Sequence, residues 1–313
     1  MEGLLHRVCN RFNPSTTTPL AELEGTLVSC REGRYLSGLV FQAPAKINLS
    51  LKIHGKRADG FHEIESLFVP ISLADELTME PAEQFSFSCD EPGVPGDERN
   101  LAVRAVQLFA ERTNVEPRIR LTLSKKIPHG AGLGGGSSDA AATVLALNEF
   151  FGTALGMDAL AAMAAQLGSD VPFFLYGSAA ICRGRGEMVT PQLFNASLPL
   201  LLLKPPFEVP TPWAYQHWRD SRELPTISYA AQEFAWGTLV NDLERPVFEK
   251  FIVLATMKTW LFDRPEVSGA LMSGSGSTLF AVLRDRGASP ALAKDARAEF
   301  GESLWTCECE TVG

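Results

Sequence analysis

No apolar run in this 313-residue sequence reaches the 18 or more residues that a membrane helix needs. The longest candidates, residues 198–203 and 171–182, have the length of buried strands or of a buried helix. The six cysteines, Cys9, Cys30, Cys89, Cys182, Cys307 and Cys309, fall in no Cys-x-x-Cys spacing, and no histidine near Cys307 completes a zinc set. Reduced thiols of a cytoplasmic protein are the expectation. Basic charge is scarce: 28 Lys and Arg stand against 37 Asp and Glu, a net charge of −9. That balance argues against broad nucleic-acid or acidic-membrane binding and leaves room only for a local basic pocket. With 45% hydrophobic residues and a mean hydropathy of +0.03, the composition is that of a globular protein with a proper core.

The first 42 residues lack periodicity. They hold no apolar stretch of a secretory signal, and Arg7, Arg11, Arg31 and Arg34 are matched by Glu2, Glu22, Glu24 and Glu32, unlike a transit peptide. Residues 1–42 are therefore expected to be a disordered or loosely packed extension, or a misplaced start of translation. Patterning begins at Ala43.

The glycines of Pro128-His129-Gly130-Ala131-Gly132-Leu133-Gly134-Gly135-Gly136-Ser137-Ser138 are followed by no lysine, so this is not the GxxxxGK[ST] loop. Gly130, Gly132 and Gly135 satisfy GxGxxG literally. Yet residues 125–129 separate the preceding strand from the first glycine, and the nearest acid at the right distance, Asp158, lies in a helical stretch rather than at a strand end. What is present is five glycines in seven positions, then two serines suited to an N-cap and an alanine-rich helical run. A glycine-rich entry into a helix start offers free N–H donors and a partial positive charge, a natural phosphate cradle.

From Lys46 to His54 polar and apolar residues alternate, which predicts a half-buried strand with Lys46 and Asn48 on one face about 7 Å apart. A plain surface strand alternates in the same way. A turn at residues 55–60 leads to a β-like stretch, 61–73, where Pro70 implies a bulge or an edge; taken by itself, His62 there reads as a capping or surface imidazole. Residues 100–114 and 158–167 are helical, and 119–124 form a strand leading into the glycine loop. Asp170 follows a helix and precedes Val171, Pro172, Phe173 and Phe174. It is a turn former by type, and a carboxylate against apolar neighbours is also a candidate proton acceptor. A second glycine cluster, Ser273 to Thr278, precedes a strand at 279–283, and a helix at 291–300 and a short strand at 304–309 close the chain. Strands and helices interleave without a regular βαβ rhythm, which predicts an α+β fold.

Three separated segments then form one pattern. Pro44-Ala45-Lys46-Ile47-Asn48-Leu49, the loop from Pro128 to Ser138, and Met272-Ser273-Gly274-Ser275-Gly276-Ser277 resemble, in that order, the three motifs of the GHMP kinases. These enzymes phosphorylate small hydroxyl-bearing metabolites. Arg57-Ala58-Asp59-Gly60-Phe61-His62-Glu63 further resembles the signature of the branch whose substrate is a polyol linked to cytidine diphosphate. The likeness runs from Ala43 to the C-terminus. It implies a two-domain architecture with the active site in the inter-domain cleft: 43–160 binding ATP and 161–313 binding substrate. It implies Lys46 and Asp170 as the catalytic pair, ATP on residues 128–138, and substrate on Asn48, Phe61, His62, Thr211 and Tyr215. Phe61 stands where the family commonly has Tyr, which keeps stacking and removes a phenol contact. Asp139 stands where Asn is frequent. Mg²⁺ is expected to accompany ATP, and no residue is named as a metal ligand. The implied partners are small molecules, with the chain a monomer or homodimer.

Overall fold

The computed structural model describes residues 38–312. The alternating segment becomes β1 (Leu39–Lys56), which pairs antiparallel with β2 (His62–Pro81) through a turn closed by Arg57 N–H donating to Phe61 O at 2.7 Å. β1 starts earlier than its pattern suggests, because Leu39 to Gln42 pair in register with Glu76 to Met79. Those residues of the expected extension are therefore strand, and residues 1–37 lie outside the described residues. The register shifts between Pro44 and Lys46, opposite Ala74 and Pro70, where the proline called for a bulge.

β3 (Ser86–Cys89) and β4 (Ile119–Ser124) extend this sheet, and α1 (Leu101–Thr113) lies between them in sequence. Asn100 caps α1, its side chain accepting from Ala102 N–H at 2.9 Å. α2 (Gly135–Phe150) and α3 (Met157–Leu167) complete the helical layer, with Leu77, Leu121, Phe109 and Leu147 in one core. β5 (Ala180–Gly184) pairs with β2, and β6 (Met188–Pro191) with β5, so strands beyond residue 160 still belong to the first sheet.

The remainder is β7 (Pro199–Lys204), α4 (Thr211–His217), β8 (Gln232–Phe234), β9 (Gly237–Asn241), α5 (Glu244–Lys250), α6 (Ile252–Phe262), β10 (Val267–Met272), β11 (Leu279–Leu283), α7 (Ser289–Phe300) and β12 (Trp305–Glu310). β8 and β9 return to the first sheet, and the second runs β10-β11-β7-β12. Pairing is antiparallel except at β1/β9 and β3/β4, which makes the fold α+β as expected. The leucine run of β7 is apolar on both faces because both are covered. Leu200 and Leu202 pack with Ile47, Val69 and Ile71 of the first sheet, while Leu201 and Leu203 pack with Phe248 and Leu254 of the helices. Burial of each such leucine stabilises by about 1.5–3 kcal/mol. This stacking leaves a cleft that the glycine loop enters.

Candidate active site

β1 points Lys46 and Asn48 inward side by side, as the period of two requires. Lys46 is 3% exposed and Asn48 1%. Lys46 Nζ donates to Asn48 Oδ1 at 2.6 Å, and Asn48 Nδ2 donates to Ser66 Oγ at 2.8 Å. Ser66 in turn donates to the carbonyl of Ser50, so the side chain of Asn48 has one fixed orientation. The ammonium also lies 4.5 Å from the centre of the Phe68 ring and 3.7 Å from Asp170 Oδ2. Burial lowers the Lys46 pKa from its usual 10.5, and the Asp170 carboxylate opposes that shift.

Asp170 lies between α3 and a 3₁₀ turn at Pro172–Leu175, with its side chain one-third exposed to the cleft. The turn is anchored by Phe173, which packs edge-on against Phe68 at 5.2 Å. Cys182 of β5 is buried beside the pair, and burial followed by the Asp170 charge raises its thiol pKa.

The glycine loop is tied to β1 by Lys46 N–H donating to Leu133 O at 2.9 Å. Its helix starts earlier than the serines suggest. Gly134 is the N-cap, in the left-handed region at φ 72°, and Ser137 and Ser138 fall inside the first turn. A serine cannot take that backbone conformation without strain, whereas glycine can. The consequence is a helix start with no side-chain cap, its first N–H groups open to the cleft. At Gly132, φ +74°, an added Cβ would stand 2.4 Å from the Ser273 carbonyl, because the third motif packs directly on the second.

All the predicted site residues except Ser138 line one cavity of about 1250 Å³. Ser138 is turned into the protein, 1% exposed, and its hydroxyl has no hydrogen-bond partner among the described residues. At the far end His62 packs against Tyr215 at 5.4 Å and edge-on to Trp218 at 6.1 Å. Burial, then the charges of Lys56 and Arg219, lowers the His62 pKa from 6.5, so a neutral imidazole faces the cleft at neutral pH. Burial raises the Tyr215 pKa, helped by the Asp170 charge, so its phenol keeps its proton. Phe61 stays half exposed at the rim with the Arg185 guanidinium 4.6 Å above its ring. Thr211 Oγ1 lies 2.7 Å from Ser275 Oγ, joining α4 to the third motif.

Several contributors escape a reading of the sequence. Arg185 and Ser66 sit in unremarkable local contexts and are brought in by β5 and β2. Asp75 is fully buried in β2. It accepts the N–H groups of Lys126 and Ile127 at 2.5 and 2.8 Å, and its other oxygen meets Lys125 Nζ at 2.5 Å. Lys125 also reaches Asp139 Oδ2 at 2.8 Å, and both residues line the cavity. Asp139 is 3% exposed with Oδ1 unpartnered among the described residues. Burial raises its pKa to about 7, against the pull of Lys125 and with help from Asp75. The described residues contain no cluster of three or more His, Cys, Asp or Glu suited to a metal, and no helix among them is long and apolar enough to cross a membrane.

Residues 100–178 match the model of the GHMP kinases N terminal domain. The 4-diphosphocytidyl-2-C-methyl-D-erythritol kinase of Methylacidiphilum infernorum is 42% identical over 275 residues, covering 84% of this chain and 93% of that protein. The chloroplastic enzyme of that name from Mentha piperita is 39% identical, over 79% of this chain and 64% of its own length. A crystal structure of 4-(cytidine 5'-diphospho)-2C-methyl-D-erythritol kinase aligns with TM-score 0.73 at 36% identity, covering 88% of this chain and all (100%) of that one.

Proposed function

The chain belongs to the 4-diphosphocytidyl-2-C-methyl-D-erythritol kinases of the GHMP superfamily, and from that premise we propose that it transfers the γ-phosphate of ATP to the 2-hydroxyl of 4-diphosphocytidyl-2-C-methyl-D-erythritol. The step would belong to non-mevalonate isoprenoid biosynthesis, in the cytoplasm, with small molecules as partners and the chain a monomer or homodimer. One observation carries the reading: Lys46, Asn48 and Asp170 share a single cavity with the glycine loop at one end and with His62 and Tyr215 at the other.

In this mechanism Asp170 takes the hydroxyl proton as the alcohol oxygen attacks the γ-phosphorus and the bond to ADP breaks. Lys46 orients the hydroxyl and favours the ionised form of Asp170. Asn48, held by Ser66, aligns the polyol. Phosphoryl transfer depends chiefly on positioning and charge, which is what a fixed lysine–asparagine pair and open helix N–H donors supply. The exposed Phe61 ring and Tyr215 would stack the cytosine, neutral His62 would read its edge, and Thr211 would sit near the polyol. The glycine cradle fits a triphosphate: Gly136 has no atom within 4 Å of an added Cβ among the described residues, leaving room for one. With no carboxylate cage among the described residues, Mg²⁺ would be held mostly by phosphate oxygens and water and would neutralise charge there. The division into 43–160 for ATP and 161–313 for substrate is likewise a proposal; β5, β6, β8 and β9 all join the first sheet, so both parts contribute strands to it.

The test is ADP release by the purified protein with ATP and Mg²⁺, each alcohol supplied in turn. Turnover with the cytidine compound alone is expected. Turnover with homoserine or mevalonate instead would overturn the substrate, and no turnover with any alcohol would leave a silent ligand-binding relative.

A further inference from the structure

A buried polar cluster stands behind the cavity wall, on Asn241, Glu244 and Lys258, none of which touches the cleft. Asn241 ends β9, in register with Leu51 of β1. Its side chain is 5% exposed, and Nδ2 donates to two carbonyls of the third motif, Met272 at 2.7 Å and Gly274 at 2.8 Å. Oδ1 accepts from Leu243 N–H at 2.9 Å. That last bond decides which end of the amide faces the motif, since the reverse orientation would set an oxygen against two acceptors. The next residue, Asp242, accepts Ile53 N–H at 2.7 Å and donates its own N–H to Leu51 O at 2.9 Å. Glu244 accepts Met272 N–H at 3.0 Å and is held by Lys258 Nζ at 2.5 Å. One four-residue segment therefore grips both β1 and the third motif.

The motif so held is a wedge. A Cβ on Gly274 would lie 3.4 Å from Asn48 Oδ1 and 3.5 Å from Lys46 Nζ, so its backbone lies against the proposed catalytic pair. On its other side Ser273 Oγ donates to Gly132 O at 3.0 Å, and Thr278 N–H donates to Ala131 O at 3.2 Å. A shift of residues 273–277 would reach Lys46 and the glycine loop together.

We propose that Asn241 is a positioning residue for phosphoryl transfer: its amide chelates the carbonyls of Met272 and Gly274 and so sets the distance between the phosphate cradle and Lys46. The inference rests on the kinase reading of the cleft. A displacement of about 1 Å at a reacting pair can cost on the order of 10²-fold in rate, and two unpaired buried carbonyls give the motif reason to move.

The experiment compares Asn241→Ala and Asn241→Ser with Leu254→Ala, a buried α6 residue of the same core whose side chain makes no hydrogen bond to the motif. Each is assayed for kcat, for KM of both substrates and for melting temperature. Asn241→Ala is expected to lower kcat about 10- to 100-fold, with Asn241→Ser between it and the wild type because a hydroxyl restores one donor. Leu254→Ala should melt lower yet keep its kcat when assayed well below its transition. Equal kcat losses at equal melting shifts, or a wild-type kcat in Asn241→Ala, would overturn the inference. Failure of both Asn241 variants to fold would do the same, since Asn241 would then serve folding and not the site. A wild type inactive on every alcohol sinks the proposed function, whereas an active wild type with unaffected Asn241 variants sinks only this inference.

Discussion

Lys46 and Asp170 face each other at 3.7 Å, an ion pair too long for a hydrogen bond, while the same ammonium is bonded to Asn48 at 2.6 Å. The lysine is thus fixed from its own strand and leaves one Asp170 oxygen space for a third group. A substrate hydroxyl in that space would touch both.

Asp170→Asn keeps the shape of the side chain, exchanges one acceptor oxygen for an amide donor and removes the proton acceptor. Turnover should fall at least about 10²-fold while nucleotide binding persists. Near-normal turnover in steady-state kinetics would remove Asp170 from the mechanism.

Tyr215→Ala removes one of the two proposed stacking rings, and His62→Ala the group proposed to read the cytosine edge. Either should raise KM for the cytidine-linked substrate by about tenfold, on the order of 1.4 kcal/mol, and leave KM for ATP nearly unchanged. Equal effects on both constants would place these rings on the nucleotide side of the cleft.

Gly132→Ala and Gly136→Ala separate fold from ligand within one loop. At Gly132 the methyl meets the Ser273 carbonyl in a left-handed backbone, so the variant should melt well below the wild type. At Gly136, which sits in the first helical turn with open space beside it, alanine should leave the melting temperature equal or higher. It should nonetheless raise KM for ATP, because the methyl would enter the space proposed for a phosphate. Unchanged ATP kinetics in Gly136→Ala would move the phosphates elsewhere.

Asp139 carries the pH dependence. Its folded pKa of about 7 lies above the ordinary 3.8, so its contribution to stability is full below 3.8 and is lost as pH rises through 7. Asn at this position does not titrate. The melting temperature of Asp139→Asn relative to wild type should therefore climb between pH 4 and 8, measured in buffers of equal ionic strength. A flat difference would mean that Lys125 fully offsets the burial of the charge.

Local chemistry alone determined several elements. The alternation in β1 puts Lys46 and Asn48 on one face, Asn100 caps α1, Pro70 faces the β1–β2 register shift, and the glycines enter a helix. Each follows from bonds or steric limits within a few residues, which any chain with that stretch would share. The kinase motifs were legible for the same reason, being short runs of fixed composition. The tertiary structure decided the rest. β5, β8 and β9 are too short to show a period and exist because distant partners supply their hydrogen bonds. The helix cap moved from the serines to Gly134 because the third motif and β1 hold the loop in a left-handed turn. Asp139 was tied at the cavity wall to Lys125, which reaches it from just beyond β4. The grip of Asn241 on Met272 and Gly274 spans more than thirty residues of chain and left no local mark. Composition and spacing record which groups are available; the charges and hydrogen bonds that orient them are settled only when separate strands bring them within about 3 Å.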